Sequence, residues 1–296
     1  MRKILYLSII AVIVGCTKEI DFEYNEMTPL VVIEGQVTNE GTRVMVTQTR
    51  SVYDREKSRC LPGAVVTVST SNVTTPIPYD ATAGCYRSPL VGEPGLSYHL
   101  RVELDGKTYE STSTMPYPSK VLSALFFWQS VIDERLLVYE LWATDPEPSE
   151  RNYYWYRVDR LTHHPHFDGK DMSEAYLWGA FDDRGNPPGL VYRDVMCMSE
   201  RMADEDEEEN WKRILYEGDS LTCQLMNIDQ GVHEYLTSLR AGQGGGANPK
   251  TNISGGCQGY FAAMSIAHAD TIVYRHEEIR EFEDFADYWK QWSGTK

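Results

Sequence analysis

The chain is short of positive charge and of long apolar runs, and it lacks the spacings that mark the common catalytic and metal motifs. Twenty-eight lysines and arginines stand against 44 aspartates and glutamates, a net charge of −16. General nucleic-acid binding needs a basic surface that displaces counterions, so that class is excluded, and an anionic lipid surface would repel the chain as well. Apart from one stretch at the start, no apolar run approaches the roughly 20 residues of a membrane-spanning helix. No Cys-x-x-Cys pair occurs, which removes the usual zinc and thiol-exchange spacings. A Gly-x-Ser-x-Gly elbow and an Asp-x-Asp-x-Asp-Gly calcium loop are missing too. The glycine-rich stretch Gly242 to Gly246, followed by Lys250-Thr251, has Pro249 where a phosphate loop requires glycine.

What is present begins with a targeting segment. Arg2 and Lys3 precede the apolar run Ile4 to Val14, and Gly15 precedes Cys16. At about 1.5 Å per residue the run covers only about half of a ~30 Å hydrocarbon layer, so it reads as a signal rather than a span. Ile13-Val14-Gly15-Cys16 resembles a bacterial lipobox, which makes residues 1–15 a lipoprotein signal peptide and Cys16 the lipid attachment site. At about 0.8 kcal/mol per buried CH₂, several acyl chains on Cys16 would tether the protein to a membrane permanently. Residues 16–29 read as a tether. Thr17 after the lipid site fits transfer to an outer membrane, and Lys18-Glu19-Ile20-Asp21 resembles the acidic export signals of surface lipoproteins. The expected localisation is the outer membrane, lipid-anchored, with the body periplasmic or surface-facing.

The mature chain has the apolar content for a real core, at 42% hydrophobic residues, and its patterning is mainly that of strands. Tyr98, Leu100, Val102 and Leu104 alternate with His99, Arg101 and Glu103, and Asp105-Gly106 follows, which is a hairpin signal. Leu30 to Val37, Arg43 to Thr49 and Ala64 to Thr70 supply further short strands. Residues 30–115 are therefore expected to form a β-sandwich of immunoglobulin or transthyretin character, closed by Met115-Pro116-Tyr117-Pro118. A second β-rich domain is expected over 119–275, with strands at Val121 to Trp128, Leu136 to Trp142 and Asn152 to Leu161 and an irregular middle. Val232, Tyr235, Leu236 and Leu239 predict a peripheral helix capped by Asp229 and stopped by Gly242. Phe282, Phe285, Ala286 and Trp289 predict another in a 276–296 tail.

Three strings in order carry a family resemblance. Leu30-Val31-Val32-Ile33-Glu34-Gly35 follows the acidic stretch behind the lipobox, and Asn152-Tyr153-Tyr154 opens a central aromatic strand. The helix Glu234 to Leu239 is followed by Pro249, Asn252-Ile253 and Gly255-Gly256-Cys257-Gln258-Gly259-Tyr260-Phe261. Together they resemble the lipoprotein family known as domain of unknown function 4249. The acidic insert and the tail after Asp270 are longer than the family pattern. The resemblance implies a surface or outer-membrane lipoprotein of β-sandwich type, brings no activity with it, and gives an outer-membrane transporter of the TonB-dependent type, or a neighbouring surface protein, as the natural partner class.

Individual candidates are few. Cys60 and Cys85 flank the Pro62 to Pro76 portion, and in an exported protein a disulfide between them is expected to stabilise by on the order of 3 kcal/mol; buried free thiols are the alternative. Cys197, Cys223 and Cys257 leave one thiol unpaired in any scheme. His163-His164-Pro165-His166 with Asp168 offers metal-ligand chemistry, but Pro165 breaks helical spacing and only His164 and His166 would converge, so an exposed loop is expected and no metal. The run Asp204 to Glu209 reads as solvated. In Tyr153-Tyr154-Trp155-Tyr156, alternation sends Tyr153 and Trp155 one way and Tyr154 and Tyr156 the other, so one pair is expected in a core and the other exposed for recognition. The expected function is a non-enzymatic, lipid-anchored binding or accessory component of an outer-membrane uptake assembly. A carbohydrate-binding module and a hydrolase with an unrecognised site are the alternatives.

Overall fold

The computed structural model describes residues 28–51, 54, 58–131, 134–163, 172–199, 214–242 and 248–282. Cys16 with its signal and tether, His164, His166, Asp168, the acidic run, and residues 283–296 of the expected C-terminal helix lie outside the described residues.

The described chain is mainly β, in three sheets, with one α-helix. Its first part contains β1 (Val31–Thr38), β2 (Gly41–Gln48), β3 (Val65–Ser69), β4 (Thr74–Pro76), β5 (Tyr79–Asp80), β6 (Cys85–Ser88), β7 (Ser97–Leu104) and β8 (Lys107–Thr114). There follow β9 (Val121–Val131), β10 (Glu134–Thr144), β11 (Tyr153–Thr162), β12 (Met172–Asp182), β13 (Leu190–Ser199), β14 (Ile214–Leu215) and β15 (Ser220–Ile228). Helix α1 (Gln230–Gly242), β16 (Gln258–His268), β17 (Ile272–Val273), a 3₁₀ turn at His276–Glu278 and β18 (Arg280–Phe282) complete it.

One long sheet runs β12-β11-β15-β16-β1-β2-β6-β5, with β17 beside β15. A second sheet is β14-β13-β10-β9-β18 and a third β4-β3-β7-β8. Strand β7 buries Tyr98, Leu100, Val102 and Leu104, as its alternation predicts. Asp105 (φ 50°) and Gly106 (φ 74°) join it to β8, the two positive φ values that a tight hairpin of this twist requires. Asp229 caps α1 as expected, its Oδ1 accepting from the Val232 amide at 2.9 Å.

Three main cores separate the layers among the described residues, beside a small cluster of Ile214 and Tyr216. In the first, Val66, Val68, Leu100 and Val102 of the third sheet meet Ile33, Val37, Val44, Val46 and Phe261 of the long sheet. In the second, Leu137, Tyr139 and Leu141 of β10 meet Tyr154, Tyr156, Val158, Cys223 and Leu225. The third lies on the opposite face, where Val232, Tyr235 and Leu236 of α1 cover Met226, Ile228, Tyr260, Ala262 and Met264.

The expected units at 30–115 and 119–275 share the long sheet, because β1 pairs in parallel with β16, Val32 opposite Gln258 through Thr38 opposite Met264. That pairing sets strict steric demands. Gly259 has φ 104°, and a Cβ there would stand 1.9 Å from the Ile33 carbonyl oxygen. Gly35 admits the Phe261 ring, whose Cδ2 would lie 3.0 Å from an added Cβ. Two asparagine amides complete the pairing where no strand is available. Asn252 receives the Phe261 N–H at 2.9 Å and donates to the Phe261 carbonyl at 2.8 Å. Asn39, one residue past the end of β1, does the same for Ile266 at 2.8 and 2.9 Å.

Two expectations change. Among the described residues, β12 and β13 stand in the middle of the second region, where irregular chain was expected. Strand β12 pairs with β11 across a register shift between Val158 and Asp159, which interrupts simple alternation. Of the second helix, Phe282 instead ends β18, which pairs in parallel with β9.

The glycine contacts give a direct test. Gly259→Ala is expected to cost about 3–5 kcal/mol in denaturant unfolding, because the backbone conformation and the Ile33 carbonyl both oppose a side chain. Gly63→Ala, with nothing within 4 Å of its added Cβ, should change stability by less than about 0.5 kcal/mol.

Candidate functional site

The aromatic strand β11 is covered on both faces. Tyr154 and Tyr156 lie in the second core, Tyr154 stacked on Phe181 at 5.2 Å between ring centroids and Tyr156 lying against Gly179, its direct partner on β12. Tyr153 and Trp155 face the other way and are half-buried beneath α1. Tyr153 packs on His233 at 4.9 Å and Trp155 meets Tyr260 edge-on at 6.0 Å. The expected exposed recognition pair is therefore not found, since the helix supplies a second layer over the outward set. The Trp155 indole N–H has no hydrogen-bond partner among the described residues.

Helix α1 covers only part of the long sheet. Its packing partners lie on β11, β12, β15 and β16, while the outward residues of β1, β2 and β6 continue past it. There an open groove of about 900 Å³ is lined by Gln36, Thr38, Arg43, Tyr79, Asp80 and Arg87, among others. Strand register assembles it: Gln36 is opposite Arg43 across β1 and β2, and Arg43 is opposite Arg87 across β2 and β6. Gln36 Nε2 donates to the Tyr260 hydroxyl at 2.6 Å, tying the groove floor to the aromatic layer under α1. Asp80 Oδ1 accepts from the amides of Thr82 and Ala83 at 2.9 and 3.0 Å, and Oδ2 from Arg87 Nε at 2.6 Å. The Ala83 and Thr82 amides, with Arg87, hold this carboxyl below the usual range. No sequence spacing announces the groove, because its residues come from strands whose order in the sheet differs from their order in the chain.

A buried carboxyl pair lies elsewhere. Glu140 on β10 is directly opposite Asp194 on β13, and only 1% of Glu140 is exposed. Burial pushes Glu140 up to about 8, and the Asp194 charge and hydrogen bond act in the same direction against a hydrogen bond from Trp142. Burial also raises Asp194, while its bond with Glu140 and the charge of Arg193 favour its ionised form. Burial thus favours the protonated form of Glu140, and the charge of Asp194 works in the same direction. The pair is too enclosed for a solute to reach Glu140, so its chemistry is that of a proton-dependent structural link.

Cys60 and Cys85 are buried free thiols in the structure, without the expected bridge. They are near neighbours: a charge on Cys85 would raise the Cys60 pKa, although burial is the larger cause, and Cys60 Sγ accepts from the Val46 amide at 3.3 Å. Cys197, Cys223 and Cys257 are likewise buried free thiols, burial pushing them up to about 12, 11 and 11. Thiolates are the reactive form, so these three are inert at neutral pH. His163 is exposed at the end of β11, and no three metal-ligating side chains cluster among the described residues. No helix among the described residues is long and apolar enough to cross a membrane.

These features define a mainly-β protein of three sheets whose long sheet is closed by pairing its first strand to a late one, with an open groove beside the covering helix. The family model described as domain of unknown function (DUF4249) matches residues 17–269, and the chain belongs to that family. No curated protein matches it.

Two outcomes follow from the buried groups. Tyr154→Ala and Trp155→Ala should both lower the denaturant midpoint, each by the equivalent of about 3–5 kcal/mol, since neither face of β11 is open. For Glu140, the raised folded pKa means that the folded state binds the proton more tightly than the unfolded state. Its contribution is full below the unfolded value of 4.5 and is lost as pH rises through about 8. Midpoints measured from pH 5 to 9 should therefore fall more steeply in the wild type than in Glu140→Gln; parallel curves would refute the proton link.

Proposed function

We propose that this chain is a non-enzymatic, lipid-anchored binding protein of the outer membrane, held by lipid on Cys16 and acting as an accessory component of an uptake assembly of the TonB-dependent type. In this reading the third sheet and the part of the long sheet facing it form a sandwich of immunoglobulin or transthyretin character. The observation that carries the reading is the position of Cys16. It ends a string of lipobox form, and the family-matched region begins at residue 17, immediately after it. The first strand among the described residues starts at Val31, and residues 16–29 read from the sequence as a tether between the anchor and the folded body. That arrangement lets a rigid β body stand off a membrane and present its open sheet face to a ligand or neighbouring protein.

The decisive measurement is intact-mass and N-terminal peptide analysis of the protein recovered from native membranes. The expected species begins at Cys16 and carries acyl chains; a mature chain starting elsewhere, or an unmodified Cys16, sinks the anchor. Affinity isolation from gently solubilised outer membranes should bring down a β-barrel transporter of the TonB-dependent type, and its absence would remove the accessory role while leaving the anchor standing.

A further inference from the structure

We propose that the face of the second sheet turned away from the second core is the docking surface for the chain's own residues 283–296, with Phe285, Trp289 and Trp292 as the anchors. The inference goes beyond the binding-protein reading and does not depend on lipid at Cys16.

The first reason is that this face is covered, and the apolar clusters of the described residues do not account for the cover. Strand alternation turns Leu137, Tyr139 and Leu141 of β10 into the second core and Val138, Glu140 and Trp142 the other way. Register places Phe127 of β9 opposite Val138, and Asp194 and Tyr192 of β13 opposite Glu140 and Trp142, all on that outward face. A sheet face turned to water leaves such side chains open. Here Phe127, Val138, Glu140 and Trp142 are 1%, 2%, 1% and 1% exposed. Yet Phe127, Val138 and Trp142 belong to none of the apolar clusters that the described residues form. A further part of the chain therefore covers them.

The second reason is the side from which the cover comes. Exposure rises across the sheet towards β13, where Met196, opposite Val138, is 71% exposed. The cover thus lies over β9 and β10 and stops short of β13. On the β9 side the neighbour is β18, with Arg280 opposite Phe127 and Phe282 opposite Gln129. The chain therefore leaves Phe282 at the edge of the buried patch, and residues 283–296 follow at once. In helical spacing Phe285, Trp289 and Trp292 fall on one side. About 20 Å of helix is enough for the roughly 13 Å of strand from Val138 to Trp142. Residues 200–213 leave from the exposed β13 side, and their run Asp204 to Glu209 would set six like charges against Glu140 and Asp194. Residues 283–296 are nearly balanced, with three acids against two lysines. The family-matched region ends at residue 269, so this cover comes from outside it.

The test is photo-cross-linking of the detergent-solubilised full chain carrying Leu125→p-benzoylphenylalanine, a position on the outward face opposite Glu140. Light and ¹⁵N-labelled protein are mixed before illumination, so that links within one chain are told from links between two copies. Peptide mapping should join position 125 to a peptide within residues 283–296 of the same chain. A link to residues 200–213, a link between two copies, or no link to the tail would each overturn the proposal. Trp289→Ala should lower the thermal midpoint by roughly 5 °C or more and raise the fluorescence of a dye that binds apolar surface, whereas Lys296→Ala should change neither. An unchanged midpoint and dye signal in Trp289→Ala would also overturn it.

Discussion

The parallel pairing of β1 with β16 is the constraint on which the rest of the molecule depends. It turns what would be two separate β units into one sheet, and it places Phe261 and Ala263 in the first core while Tyr260, Ala262 and Met264 enter the third. A strand buried on both faces shows no alternation, only a continuous run of buried residues from Gly259 to Ser265. The backbones can approach because Gly259 has no Cβ against the Ile33 carbonyl and Gly35 yields to Phe261. The two strings far apart in the chain that carry the family resemblance, Leu30 to Gly35 and Gly255 to Phe261, thus meet in one contact. Asn252 and Asn39 finish it, each amide acting as a strand one residue long.

Much of the local structure was legible in the sequence, and the reason is local chemistry. The Asp105-Gly106 turn, the alternating face of β7, the Asp229 cap and the apolar stripe of α1 each depend on neighbours within a few residues, so pattern and structure agree. What was not legible depends on partners far apart in the chain. Strand β16 carries no period to read. Strand β12 pairs with β11 around a bulge. The aromatic quartet of β11 announced alternation correctly, but whether its outward pair meets solvent or a helix depends on where α1 settles, some 80 residues later. The groove and the Glu140–Asp194 pair exist only through strand register, and neither leaves any spacing in the sequence to find.

The partial cover of the long sheet has a functional logic. Helix α1 seals the aromatic layer over β11, β15 and β16, and stops short of β1, β2 and β6. A sheet face sealed throughout offers only loops for recognition, whereas an open half presents side chains on a rigid backbone at fixed lateral spacing. Gln36, Arg43 and Arg87 stand on three neighbouring strands, so their separation is set by the hydrogen-bonded ladder rather than by a flexible loop.

The closure of the sheet also orders events in time. Strand β1 emerges early from the ribosome, whereas its partner β16 lies more than 200 residues further along the chain. Until then the β1 edge destined for β16 carries unpaired main-chain donors and acceptors beside Ile33 and Val37, an edge prone to pairing with other chains. Contacts of such long range make folding slow and leave intermediates exposed to association. A truncated or stalled chain ending before Gln258 would therefore lack one side of its longest sheet, and quality control would meet it as an aggregation-prone fragment rather than as a smaller folded domain.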